Sequence, residues 1–178
     1  MRRIIPDGDI ILVVGLKKSK IQLSSHLLST TSPIFAAMLG PNFKEENNLR
    51  ENQGPTEIAL PKDNAEALGN IYTTLYGAHP CVNRLKPEEV YEISIVAQKY
   101  HLVNRLSPIC ELWFGDTDGE LFGSLSSAWK MMLAAYWLDN EFGFGNITQT
   151  LIEEEGESFY RYAMESSDQV LGLRICRK

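Results

Sequence analysis

Residues 8–39 read GDIILVVGLKKSKIQLSSHLLSTTSPIFAAML, and the change of period inside this stretch decides the fold class. Ile10 to Val14 is a compact β-branched run closed by Gly15, and Ile21 and Leu23 alternate with polar neighbours beyond a Leu16-Lys17-Lys18-Ser19 turn. Two short extended runs around a tight polar turn predict a hairpin. Immediately after it, Ser24 or Ser25 can cap a short helix carrying Leu27 and Leu28. Ser32 then caps a second helix, with Pro33 at its first position and Ile34, Phe35, Met38 and Leu39 as its apolar face. A period of two therefore gives way to a period of 3.6 within about a dozen residues.

Working outward, residues 44–56 (KEENNLRENQGPT) contain one apolar side chain, Leu49, and read as an exposed loop. Glu57 to Leu60 alternates as a brief strand ending at Pro61. Asp63 followed by Glu66 resembles a capping box, and Leu68, Ile71, Tyr72, Leu75 and Tyr76 give the apolar stripe of a helix stopped by Gly77. Another helix opens at Pro87 with Val90, Ile93, Val96, Ala97 and Tyr100 on one face. Asn104 can cap the next, which carries Leu106, Ile109, Cys110 and Trp113. Gly115 to Gly119 is a turn, after which Leu121 to Leu138 is a strongly apolar helical segment with Leu125, Trp129, Met132, Leu133 and Tyr136 in register. A last helix over residues 140–152 uses Phe142 or Phe144, then Ile147 and Leu151. Residues 115–165 are expected to dock on the core, and 166–178 to form a flexible tail.

Composition excludes several classes. The 178 residues are 44% hydrophobic, enough for one domain with a real core. Apolar runs such as Ile10 to Val14 are far shorter than the roughly 20 residues of a spanning helix, and Met-Arg-Arg leads to Ile-Ile-Pro-Asp rather than to a long apolar run. Neither secretion nor membrane insertion is expected. The net charge of −6 and the scattered basic residues offer no face for phosphates, so no direct nucleic-acid contact is expected. Cys81, Cys110 and Cys176 are odd in number and widely spaced. They read as reduced thiols in a cytoplasmic or nuclear protein, with Cys110 a buried small hydrophobe.

Catalytic and cofactor patterns are weak. Ser25, His26 and Asp63 are the parts of a triad, but adjacent Ser and His side chains on a helix diverge, and no G-x-S-x-G elbow occurs. The glycines from Gly115 to Gly145 form no phosphate-binding loop. His79 beside Cys81 lacks a second ligand pair. No enzyme activity, metal or cofactor is expected.

The run Ser24-Ser25-His26-Leu27-Leu28-x-x-x-Ser32-Pro33-Ile34-Phe35-x-Ala37-Met38-Leu39-x-x-x-Phe43-x-Glu45 resembles the signature of BTB/POZ domains, in the version common in filamentous fungi. Asp9 stands where that family usually has an Asp before its first strand. Ala97-Gln98-Lys99-Tyr100-His101-Leu102-x-x-x-Leu106-x-x-x-Cys110 resembles the family's closing helices. One departure is Ser24, where many animal members carry His. The resemblance spans residues 7–114 and implies an α+β fold: a small mixed sheet, made of the hairpin plus a short strand, flanked by a helical cluster and followed by extra C-terminal helices. The segment after Phe114 resembles the helical appendage of the fungal proteins.

The resemblance also implies a role. The family's apolar-x-Glu element engages a cullin scaffold, so Phe43 and Glu45, with Met38 and Tyr76, are the candidate partner-binding residues of an adaptor that joins a client protein to a ubiquitin ligase. Phe43 sits where an amphipathic helix meets a polar loop, and it either anchors a partner or folds back on the core. A second expectation is a self-associating scaffold in transcriptional regulation. Strand-exchanged family dimers usually carry a helix before the first strand, whereas Pro6 and Gly8 discourage one here. A channel-type tetramerisation domain ranks third, since the His/Cys zinc pattern some of those carry is missing. No client-recognition repeat is visible. The segment around Trp129, Tyr136, Trp137 and Phe142 is the best remaining client surface, although such stripes more often form core.

Overall fold

β2 (Ile10–Val14) and β3 (Ser19–Leu23) form the antiparallel hairpin read from the sequence, with Ile10 opposite Leu23 and Val14 opposite Ser19. The computed structural model describes residues 1–40, 54–77, 85–115, 124–154 and 162. At the hairpin tip Gly15 has a positive φ of 70°, and its N–H donates to the Leu60 carbonyl at 2.9 Å, tying the tip to β4 (Thr56–Leu60). β4 lies parallel to β2, so Ile10, Leu12 and Val14 face Thr56, Ile58 and Leu60 across the ladder, and all six are buried.

The sheet has one strand more than the sequence suggested. β1 (Arg2–Arg3) runs parallel to β3, giving the order β1-β3-β2-β4. Two arginines carry no apolar alternation, so the periodicity that revealed the other strands is silent here.

Helix ends follow their caps. α1 (Ser25–Thr31) is capped by Ser24, whose hydroxyl accepts from the Leu27 N–H, and α2 (Pro33–Met38) by Ser32, which accepts from the Phe35 N–H. α3 (Ala65–Tyr76) ends on Gly77 in the left-handed region, as read, but its cap is Asn64, not Asp63. Asn64 Oδ1 takes the Glu66 and Ala67 N–H groups, while the Asp63 carboxylate accepts from the Tyr100 hydroxyl and from Lys99. α4 (Pro87–Lys99) starts at Pro87, as expected. α5 (Val103–Phe114) starts one residue before Asn104, from Leu102, whose buried side chain rather than a polar cap fixes the helix entry. The expected cap at Asn104 is therefore replaced.

Beyond α5, α6 (Leu125–Trp137) is capped by Ser124 and buries Ala128, Trp129, Met131, Met132, Leu133, Ala134 and Ala135. It lies against α4: Ser127 donates to Glu88 at 3.0 Å, Lys130 pairs with Glu88 at 3.5 Å, and Gln98 Nε2 donates to the Trp137 carbonyl. α7 (Glu141–Glu154) packs on α6 in turn through buried Ile147 and Leu151. Of the two phenylalanines, Phe144 is half-buried and in ring contact with Tyr136 at 6.1 Å, whereas Phe142 is exposed. Residues 166–178 lie outside the described residues.

Candidate protein-interaction surface

The α1–α2 pair is fixed to the rest of the fold through Ser25, Ser32 and Phe35. Ser32 does two jobs: it caps α2, and its hydroxyl donates to the Tyr100 carbonyl at 2.7 Å where α4 ends. Phe35 follows three residues later, stacked on the Tyr100 ring at 4.5 Å and 6° and set edge-on to Tyr72 of α3 at 6.2 Å. All three rings are buried. Burial pushes both phenols above their ordinary values, helped for Tyr100 by the neighbouring Asp63 carboxylate, so both stay protonated, and the Tyr100 hydroxyl donates to Asp63. At the start of α1, the Ser25 N–H and hydroxyl donate to the two Asp9 carboxylate oxygens at 2.7 and 2.6 Å. This charge-assisted pair fastens the start of α1 to the residue just ahead of β2.

The candidate residues fall around this frame. Met38 is the last residue of α2, half-buried against the core and one turn beyond Phe35. Tyr76 is the last residue of α3, one turn beyond Tyr72, and is 51% exposed. Phe43 and Glu45 lie outside the described residues. Ile34, one turn before Met38, is exposed on α2 and extends the apolar strip that the sequence placed on the buried face. A half-wide apolar stripe on a six-residue helix cannot be divided into inner and outer residues by spacing alone.

A BTB/POZ family model matches residues 7–112, from the residue before Gly8 to the last turn of α5. The chain belongs to the BTB/POZ family. A search of curated proteins finds no match. BTB/POZ domains are protein-interaction modules, and the mixed sheet with its helical cluster agrees with the fold the sequence implied.

Within this BTB domain, the ionisable groups serve the fold. Ser25 donates to Asp9, and Asp63 accepts from Tyr100 and Lys99, so two of the three parts of the weak triad go to separate structural partners. Where α3 and α4 begin, Asn64, Glu66, Ala67, Asn70, Glu88, Glu89 and Glu92 line a shallow cleft of about 130 Å³. Its acids are engaged: Glu92 accepts from Asn64, Glu89 from the Lys86 N–H, Glu88 from Ser127 beside Lys130, and Glu66 lies 3.9 Å from Arg2. The backbone N–H at Glu88, then Ser127 and Lys130, hold its carboxyl below the usual value, the opposite of a general acid poised near neutrality. Among the described residues no three His, Cys, Asp or Glu side chains could share a metal ion, and no helix is long and apolar enough to cross a membrane.

Cys110 is buried, and loss of solvent alone pushes its thiol up to about 12, which suits the packing role read from the sequence. Cys81, Cys176 and His79 lie outside the described residues. The C-terminal aromatic stripe divides: Trp129 is buried, Trp137 half-buried, and Tyr136 and Phe142 exposed.

Proposed function

We propose that this BTB/POZ protein is a non-enzymatic adaptor that joins a client protein to a cullin-type ubiquitin ligase scaffold. The observation that carries the reading is the Phe43-x-Glu45 element directly after α2, whose exposed Ile34 and half-buried Met38 bring apolar surface to the same short helix. An apolar anchor beside an acid is the pattern of a small interface hot spot: the ring supplies desolvated area and the carboxylate sets orientation. Tyr76 adds an amphipathic ring at the end of α3, and the client is placed on the α6–α7 face that carries Tyr136 and Phe142. The same reading puts the protein in the cytoplasm or nucleus, where Cys110 stays reduced.

Affinity purification of the tagged full chain from its own cells, read by mass spectrometry, tests this. A cullin recovered with wild type and depleted with Phe43→Ala/Glu45→Ala supports the adaptor role. Equal recovery with both, or no cullin at all, removes it.

A further inference from the structure

α7 carries apolar side chains on two faces, and the described residues cover one of them. Ile147 and Leu151 are buried against α6, and Phe144 meets the Tyr136 ring. On the opposite side Phe142, Gly145, Gln149 and Ile152 follow at steps of three, four and three residues, which sets them in one line along the helix. Phe142 is 64% and Ile152 58% exposed, and a Cβ at Gly145 would meet nothing within 4 Å. Two apolar side chains therefore stand about 15 Å apart along the helix axis, with an open notch between them.

The chain beyond α7 returns to this helix pair. Tyr136 of α6 touches Phe144 of α7, and the two consecutive helices pack on each other, so Trp129, two turns before Tyr136, lies towards the Leu151 end of α7. The Tyr162 ring packs on Trp129 at 6.2 Å. Further along the sequence Leu171, Leu173 and Ile175 alternate with Gly172 and Arg174. An extended run of that pattern presents one apolar face and spans about 13 Å from Leu171 to Ile175, close to the length of the exposed line on α7. The nine residues from Tyr162 to Leu171 reach as far as about 30 Å, enough to arrive there. Charge agrees with this placement. No acid follows Asp168, and Arg174, Arg177 and Lys178 are basic, whereas Asp139 and Glu141 are exposed at the Phe142 end of α7.

We propose that residues 170–178, read from the sequence as part of a flexible tail, dock in cis along the outer face of α7, with Leu171 on Ile152, Ile175 on Phe142, and Arg177 and Lys178 beside Asp139 and Glu141. One segment then covers both exposed apolar side chains and meets carboxylates with cations. Tyr162 holds the segment close to the face, which keeps its effective concentration high. In the adaptor reading above, the segment competes with the client for Phe142; the docking itself stands without that reading.

A nitroxide on Cys176 of the full chain tests the contact by NMR, with Cys81→Ser in place and the Cys110 thiol buried. The amide signals of residues 141–145 are expected to lose at least half their intensity relative to the reduced label, while those of β2 and β3 keep theirs. Leu171→Ser/Leu173→Ser, a change confined to the tail, is expected to restore them. Full intensity at residues 141–145 with the tail intact, or a loss that survives Leu171→Ser/Leu173→Ser, overturns the proposal. The same loss in isotope-labelled Cys176→Ser protein mixed with unlabelled nitroxide protein assigns the docked segment to a second copy and overturns the cis arrangement. No cullin or client enters the measurement, so its failure is distinct from that of the adaptor reading.

Discussion

Two groups of aromatic side chains make ring contacts and meet different fates. Phe35, Tyr72 and Tyr100 come from α2, α3 and the end of α4, touch ring to ring, and are closed off from water. Tyr136, Trp137, Phe142 and Phe144 sit at the junction of α6 and α7; Tyr136 touches both Trp137 and Phe144, yet Phe142 remains 64% exposed. The difference lies in what surrounds them. The first group converges from three elements and is pinned by Ser32 and Asp63, whereas the second belongs to adjacent turns of two consecutive helices, with Trp137 and Phe144 half-buried and Tyr136 and Phe142 exposed. The first group is scaffold; in the second, Tyr136 and Phe142 are the rings left exposed.

Substitutions should separate the two. Phe35→Ala removes a fully buried ring from the centre and is expected to cost about 3–5 kcal/mol in chemical denaturation; a loss under 1 kcal/mol would dissolve the distinction. Cys110 probes how firmly the helices close around the same core. At pH 8 its alkylation in native protein should be on the order of a hundredfold slower than in denaturant, since reaction needs opening of the structure. Its raised thiol also sets a direction: the folded state holds its proton longer than the unfolded one, so its contribution is full below the ordinary thiol value near 9 and fades as pH rises from there towards 12. A pH titration of stability in which Cys110→Ala shows the same alkaline loss as wild type would count against this.

Ser32→Ala leaves the rings in place but removes the α2 cap and the bond to the Tyr100 carbonyl, for an expected loss of about 1–2 kcal/mol in the same assay. Phe142→Ala should change stability by no more than about 0.5 kcal/mol, as at other exposed positions. A loss above 1 kcal/mol would move Phe142 into the scaffold.

Much of this was legible in the sequence, for local reasons. The hairpin announces itself through Ile10–Val14 and the alternation of Ile21 and Leu23, and α2 through Ser32-Pro33, because caps and periodicity act over a few residues. What was missed depends on distant partners. β1 exists because Arg2 finds Asn70 and Thr73 some seventy residues away. Asn64 rather than Asp63 caps α3 because Tyr100 and Lys99 claim the aspartate. The choice between Phe142 and Phe144 needed the ring of Tyr136. Of the candidate site, Met38 and Tyr76 could be placed at helix ends by spacing, but their exposure could not, since spacing gives a face and not what covers it.

If recognition and stability reside in different residues of this fold, calorimetry on purified cullin scaffold with the Phe43→Ala/Glu45→Ala variant separates them. The variant is expected to bind more weakly by about 2 kcal/mol or more, with a thermal midpoint within about 2 °C of wild type, because ΔΔG below about 0.5 kcal/mol moves the midpoint little. Unchanged affinity, or a midpoint that falls along with it, would contradict the separation.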